Sequence, residues 1–373
     1  MTLRIAVVNR HPLDAVGGSE IQCDLYAREL VARGHAVTYV ALHARRTAQP
    51  LDAADAPPYT VVPLDAAATS APGIVRAVLA SDADVVYWRY GREFLAEVAT
   101  ALRDRPRPVP VVLAVAHVDD VSRWPALPLA TGGLRDRGAD LRWRLQHRRS
   151  WRAFRAVAAI AAQREDFLGR VPVRRQAHVP NIVDPSLVPF AWPRPYVAWV
   201  ANLKPRKRPE QLIPLARSLA ADGLDVVAVG AVQDARYASF ARGDGAPANL
   251  HVLGPLPPPQ AAGVIAGARC LAVTAREEGL SNATIQAWWH GVPTVSLDYD
   301  PDGAIASEGL GAVCDGVEQR FHREVLAHAR DTEAARAAGL RASAYAQARF
   351  GSGRNTELLE ALLTAAAHGG SHG

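Results

Sequence analysis

Thr274-Ala275-Arg276-Glu277-Glu278-Gly279-Leu280-Ser281-Asn282-Ala283-Thr284-Ile285-Gln286-Ala287-Trp288 is the densest run of chemistry in the chain. It begins where the apolar run Cys270 to Thr274, read as a buried strand, ends. It crosses an acidic-glycine turn and enters a helix whose first turn carries Ser281 and Asn282. A helix N-terminus offers unsatisfied N–H groups and the positive end of the helix dipole, which suits a diphosphate. The Glu278 carboxylate beside it is a poor phosphate ligand but a good acceptor for sugar hydroxyls. Together they point to a nucleotide sugar, although an N-capped helix with surface acids explains the local pattern equally well.

Outward from this stretch, strand-like and helix-like segments alternate. Tyr196 to Val200, Val226 to Val229, Leu250 to Leu253 and Val292 to Leu297 read as strands, with a helix from about Pro209 to Ala221. The first half follows the same plan. Ile5 to Asn9, Ala36 to Ala41, Val85 to Trp88 and Val109 to Val115 read as strands, and a helix from Ser19 to Arg33 follows the Gly17-Gly18 turn. Ser19 is placed to cap that helix and Gly34 to end it. Continuous apolar strands alternating with helices imply parallel sheets covered on both faces. Val179 to Asp184 and the proline-rich stretch to Pro195 have linker composition. The expected architecture is α/β with two Rossmann-like domains, 1–188 and 189–349, their parallel sheets facing a central cleft. A C-terminal helix over about 350–367 is expected to pack back on the first. Ligands then belong outside the carboxyl ends of the strands. The Gly/Ser/His-rich residues after His368 read as a frayed end.

Taken together, these segments resemble the retaining GT-B glycosyltransferases of family GT4, glycosyltransferase group 1, over most of the chain. That family carries two glutamates separated by seven residues. Glu278-Gly279-Leu280-Ser281-Asn282 matches the first, and the second falls on Gln286, whose amide still hydrogen-bonds ribose hydroxyls without charge. Gly17-Gly18-Ser19-Glu20 and Arg33-Gly34-His35-Ala36-Val37 resemble the family's glycine loop and strand entry; a plain tight turn explains the glycine pair alone. Val179-Pro180-Asn181-Ile182-Val183-Asp184 resembles its interdomain element, and that segment reads as structural. Asn202-Leu203-Lys204-Pro205-Arg206-Lys207-Arg208 occupies the position of the family's diphosphate-neutralising Arg and Lys. Lys207 matches the Lys; the Arg position falls on Asn202, with Lys204 or Arg206 available to supply the charge. Gly230 and the Leu253-Gly254-Pro255-Leu256 loop resemble the nucleotide side. Asp300-Pro301-Asp302-Gly303 reads as a turn.

The resemblance implies roles for these residues. Lys207 would stabilise the departing diphosphate, Glu278 would hold the transferred sugar, and His117, at the end of the strand to Val115, would contact the sugar near the acceptor. Gly17, Gly18, Asn202, Lys204, Arg206, Gly230, Leu256, Gly279, Leu280, Ser281, Asn282 and Gln286 form the donor side. Arg89 and Asp120 stand on the acceptor side. The implied reaction is hexosyl transfer from a nucleoside-diphosphate sugar, UDP- or GDP-linked, to a hydroxyl of a glycan, lipid-linked glycan or small natural product, with retention. It uses no cofactor, no essential metal and no covalent carboxylate nucleophile, the leaving phosphate itself taking the acceptor proton. Another nucleotide-sugar enzyme such as an epimerase, or a non-catalytic scaffold of the same fold, are the rivals.

Composition bounds the rest. The 373 residues suit two domains, and 49% hydrophobic with 21% charged residues is ordinary for a globular chain. The net charge of +5, mostly an arginine excess, discriminates poorly among anionic partners. Three scattered cysteines give neither a disulfide framework nor a metal pattern. Leu3 to Val8 enters a strand directly, with no signal peptide, and no apolar run approaches the ~18 residues of a membrane span. A cytoplasmic location is expected, with any membrane contact peripheral. The basic segment 135–155, with Trp143, Trp151 and Phe154 interleaved, reads first as a solvated helix face. A peripheral membrane helix and the edge of a phosphorylated-acceptor pocket are its alternatives; nucleic acid has no other support.

Overall fold

The computed structural model describes residues 2–49, 56–125, 134–330 and 333–369. The chain separates into two compact units: residues 1–182 together with 352–373, and residues 183–351.

In unit 1 the strands are β1 (Arg4–Asn9), β2 (Ala36–Leu42), β3 (Thr60–Leu64), β4 (Val85–Trp88), β5 (Val111–Val115), β6 (Ala159–Ala162) and β7 (Gln176–His178). The helices are α1 (Gly18–Ala32), α2 (Ala71–Ala80), α3 (Leu95–Arg103) and α4 (Leu134–Ser150). The sheet order is β3-β2-β1-β4-β5-β6-β7 with every neighbour parallel. Unit 2 has β8 (Tyr196–Val200), β9 (Asp225–Val229), β10 (Leu250–Val252), β11 (Leu271–Val273), β12 (Thr294–Ser296) and β13 (Gly311–Val313). Its helices are α5 (Leu212–Leu219), α6 (Ala238–Ala241), α7 (Pro258–Ala266), α8 (Asn282–Trp289), α9 (Ala304–Ser307), α10 (Glu318–Ala329) and α11 (Glu333–Arg349). The order is β10-β9-β8-β11-β12-β13, again parallel throughout. A last helix, α12 (Ser352–Gly369), belongs to unit 1; of the residues after His368, where fraying was expected, Gly369 ends this helix and 370–373 lie outside the described residues.

Each strand feeds two cores because successive side chains point to opposite faces. In β1, Ala6 and Val8 join the layer formed with α2 and α3, whereas Ile5 and Val7 join the layer formed with α1 and α12. In unit 2, Val197 and Trp199 pack with α5 and α10, while Tyr196 and Ala198 pack with α7. This two-sided burial is why the strands read as unbroken apolar runs. The linker element ends unit 1 firmly. Gln22 of α1 exchanges two hydrogen bonds with the backbone of Ile182 (2.8 and 2.9 Å), and the Tyr26 hydroxyl donates to Pro180 O.

The three cysteines are free and buried, and burial pushes the thiols of Cys23 and Cys270 up to about 12. None is a nucleophile at neutral pH. No helix among the described residues is long and apolar enough to cross a membrane.

Candidate active site

Unit 2 reverses its strand order at β8. The chain first adds β9 and β10 on one side of it, then returns to add β11, β12 and β13 on the other. The connection after β8 leads to α5 on one face, and that after β11 leads to α8 on the opposite face. Diverging loops leave a crevice at the carboxyl ends, where open parallel sheets bind ligands. The basic loop Asn202–Arg208 leaves β8 there, and the acidic turn Thr274–Ser281 leaves β11.

Side chains and backbone stitch these two loops together. The Trp199 indole donates to Thr274 Oγ1 (2.9 Å), and that hydroxyl donates to Lys207 O. Arg208 Nε donates to Thr274 O (2.5 Å), and its guanidinium pairs with Asp298, just past β12. Arg208 sits in the left-handed region at φ +48°, so the chain turns sharply after Lys207. Lys207 Nζ touches Glu278 Oε1, with only 17% and 11% of the two side chains exposed. Burial, then the like charges of Lys204 and Arg206, push the Lys207 ammonium down to about 7. The Glu278 carboxylate at contact distance opposes that shift by favouring the charged form.

The start of α8 is built as expected. Ser281 is its N-cap, accepting from Thr284 N (3.4 Å). Tyr299 holds the turn in front: its hydroxyl donates to Gly279 O and accepts from Ser281 N (3.4 Å). Leu280 packs under α8 and α9. Lys207, Glu278, Thr274 and Ser281 line one small pocket. One turn into α8, Gln286 Nε2 donates to Asp184 O (2.9 Å), while its Oε1 is buried with no partner among the described residues.

On the β9 side the contacts are mainly backbone. A Cβ on Gly230 would lie 1.8 Å from Ala201 O, so glycine is required for the two loops to meet. Leu203 N donates to Ala231 O (2.8 Å), Asn202 Oδ1 accepts from Ala231 N (3.2 Å), and Gly230 N donates to Gly254 O (2.9 Å). Leu256 packs against the core between the sheet and α7.

Unit 1 has its own reversal, between β1 and β4. Here the structure departs from the sequence reading. The helix begins at Gly18 with Gly17 as N-cap, not at Ser19. Ser19 is drawn elsewhere, accepting from Asn9 and donating to Arg89 O, both at 3.1 Å. Where a phosphate was expected to approach Gly17 and Gly18, the buried Glu20 carboxylate turns back over Gly17, and Arg10 pairs with it at 3.0 Å. A pocket of about 710 Å³ opens at this reversal, lined in part by Arg10, Arg89, Arg92, Asp120 and His147.

His117 and Asp120 stand at the end of β5, where they form a capping box. His117 Nδ1 accepts from Asp119 N (3.1 Å), and Asp120 Oδ2 accepts from the backbone N–H of Ala116 and of His117 (both 2.9 Å). Both side chains therefore hold their own turn. Among the residues sequence singled out, Lys204, Arg206, Lys207, Glu278, Gly279 and Ser281 meet at one crevice in unit 2. Asn202, Gly230 and Leu256 flank it, and Gly17, Gly18, Arg89, His117 and Asp120 belong to unit 1. Sequence reasoning quoted Arg208 and Glu20 only as parts of their loops, and it missed Asp298, Tyr299 and Arg92. The local signal they offered was position within four residues of a strand end, which Arg92, Asp298 and Tyr299 all share.

The model of the family described as Glycosyl transferases group 1 matches residues 194–339. No curated protein sequence matches the chain. Among solved structures, the Anabaena protein HepE in complex with UDP and glucose is 16% identical with a TM-score of 0.72, over 97% of this chain and 100% of that one. Sucrose-phosphate synthase from Thermosynechococcus elongatus is 15% identical with a TM-score of 0.74, over 96% and 98%. S. aureus TarM, in complex with Fondaparinux, alpha-GlcNAc-glycerol and UDP, is 10% identical with a TM-score of 0.74, over 97% and 100%. The match to Glycosyl transferases group 1 thus falls within the second unit, in a chain that has the GT-B fold of two Rossmann-like parallel-sheet domains.

Proposed function

We propose that the chain is a retaining glycosyltransferase, moving a hexose from a nucleoside diphosphate to a hydroxyl acceptor. The observation that carries this reading is the meeting of Lys207 and Glu278 at the strand reversal of unit 2, beside the N-terminus of α8. A diphosphate there receives the helix dipole and the Lys207 ammonium, with Lys204 and Arg206 on the same loop. As the bond from the anomeric carbon to the diphosphate oxygen breaks, negative charge grows on that oxygen, and these fixed positive groups favour it. The acceptor oxygen bonds to the anomeric carbon on the face the leaving group vacates, and its proton passes to the departing phosphate. Once the diphosphate engages Lys207, the Glu278 carboxylate accepts from sugar hydroxyls. Gln286 Oε1, buried without a partner among the described residues, accepts from a ribose hydroxyl. UDP is the first candidate nucleotide, since HepE and TarM were solved with it.

A second reading, nucleotide-sugar binding without transfer, draws on Asn202, whose side chain ties down Ala231 N where the family carries an arginine. The deciding experiment is a thermal-shift screen of UDP-, GDP-, dTDP- and ADP-sugars, followed by proton NMR of the product formed with a hydroxyl acceptor. Stabilisation by one donor and a product of unchanged anomeric configuration are expected. Inversion would refute retention, stabilisation without turnover would favour the second reading, and no stabilisation by any donor would overturn the donor site.

A further inference from the structure

The unit 1 pocket contains two buried cations whose hydrogen-bond partners are neutral; only through space do Asp119 and Asp120 favour the charged form of Arg92. Arg89 and Arg92 follow β4 and are each 7% exposed. The partners of Arg89 are neutral: Nη1 donates to the Tyr87 hydroxyl (3.2 Å) and Nη2 to Asn181 Oδ1 (2.7 Å). Arg92 Nη2 donates to the carbonyls of Asp119 (3.2 Å) and Ser122 (3.3 Å) and packs on the ring of His147. Its guanidinium also lies over Trp151, 5.5 Å from the ring centroid. Arg89 Nε and Arg92 Nη1 are buried with no hydrogen-bond partner among the described residues. Among the described residues neither arginine forms an ion pair with a carboxylate, whereas the neighbouring Arg10 and Arg152 pair with Glu20 and Glu97.

A buried guanidinium on neutral partners is costly, because each unmet N–H forfeits hydration without replacement. Here two such groups line one cavity of about 710 Å³, large enough for a sugar-sized ligand. We propose that this pocket binds an anionic oxygen group, phosphate or carboxylate, carried by the acceptor, with Arg89 Nε and Arg92 Nη1 as donors. Arginine suits both anions because its planar fork matches their oxygens. The assignment of this ligand as the acceptor rests on the glycosyltransferase reading; the anion site itself does not.

The test uses the full chain and three probes that share one ring: glucose 6-phosphate, glucuronate and glucose. Calorimetry is run with UDP at saturation, so that the crevice of unit 2 is occupied. At least one anionic probe is expected to bind tenfold or more tightly than glucose. Arg92→Gln should abolish that preference while the affinity for UDP is unchanged, and Lys207→Ala should do the reverse. Equal binding of all three probes to the unmodified protein overturns the proposal, and this arm needs no variant to fold. Sedimentation with phosphatidylglycerol vesicles locates the source of the anion. Binding lost in Arg92→Gln assigns it to a lipid headgroup, and glucose 6-phosphate binding without vesicle binding assigns it to a soluble acceptor. If UDP fails to bind while the anionic probes still do, the donor reading falls and the anion site stands.

Discussion

The two strand reversals offer the same crevice and fill it differently. In unit 2 two cations meet carboxylates: Lys207 with Glu278, and Arg208 with Asp298. In unit 1 an acid of the chain itself covers the helix N-terminus, while Arg89 and Arg92 rest on neutral groups. A parallel sheet supplies the crevice wherever its order reverses, but only the loops decide what it can bind. Unit 2 holds an internal salt bridge that a ligand must rearrange, and unit 1 holds cations that a ligand would complete.

The largest effect expected from breaking this comparison is loss of catalysis. Lys207→Ala or Glu278→Ala should lower kcat by about a hundredfold or more, the magnitude of removing one preorganised charge, with circular dichroism unchanged. Full activity in both variants would refute the assignment of the crevice. Arg92→Gln should act instead on the KM for the acceptor, which separates the two reversals.

A smaller effect follows from the Lys207 ammonium, pushed down to about 7 by burial and its neighbours. In the free protein it loses its proton as pH rises past that value, whereas a bound diphosphate favours the charged form. Binding must then take up a proton above pH 7, and affinity falls as pH rises. UDP should bind about tenfold more weakly at pH 9 than at pH 7, its terminal phosphate being ionised above about pH 6 throughout. Calorimetry in buffers of different ionisation enthalpy reads the proton directly, and Lys207→Arg should flatten the profile. A flat profile in the unmodified protein would show that Glu278 keeps Lys207 charged.

The smallest expected effect concerns Gln286. Gln286→Glu replaces the donor to Asp184 O by an acceptor, so stability should fall by about 1 kcal/mol in urea titration. The charged oxygen should raise nucleotide affinity a few-fold; an unchanged Kd would place the ribose elsewhere.

What the sequence revealed tracks how local each signal was. β8 and β9 were legible because Tyr196–Val200 and Asp225–Val229 are buried on both faces and nearly all apolar. β3, Thr60–Leu64, lies at the sheet edge with Pro63 inside it and none of its five side chains fully buried, so its pattern is diluted. β6, Ala-Ile-Ala-Ala, and the three-residue β7 and β13 are too short or too alanine-rich to stand out. The acidic turn and basic loop could be read because each follows a strand within a few residues. That Lys207 and Glu278 touch is a property of the β8–β11 pairing. Arg208 with Asp298, and Tyr299 with Gly279, likewise depend on which strands become neighbours. Ser19 was expected to cap its helix on propensity alone; Asn9 and Arg89 O, brought close by the sheet, draw its hydroxyl away.

The last helix has a consequence for biosynthesis. α12 supplies Leu359, Leu362, Leu363 and Ala366 to the layer beneath β1, β2 and β4, and Asn355 donates to Asn181 O at 3.2 Å. Unit 1 is therefore discontinuous, its first 182 residues awaiting a segment made after all of unit 2. On the ribosome the contiguous unit 2 can close as soon as it emerges. Unit 1 waits with an apolar face uncovered until α12 is made, the interval in which a chain most needs a chaperone.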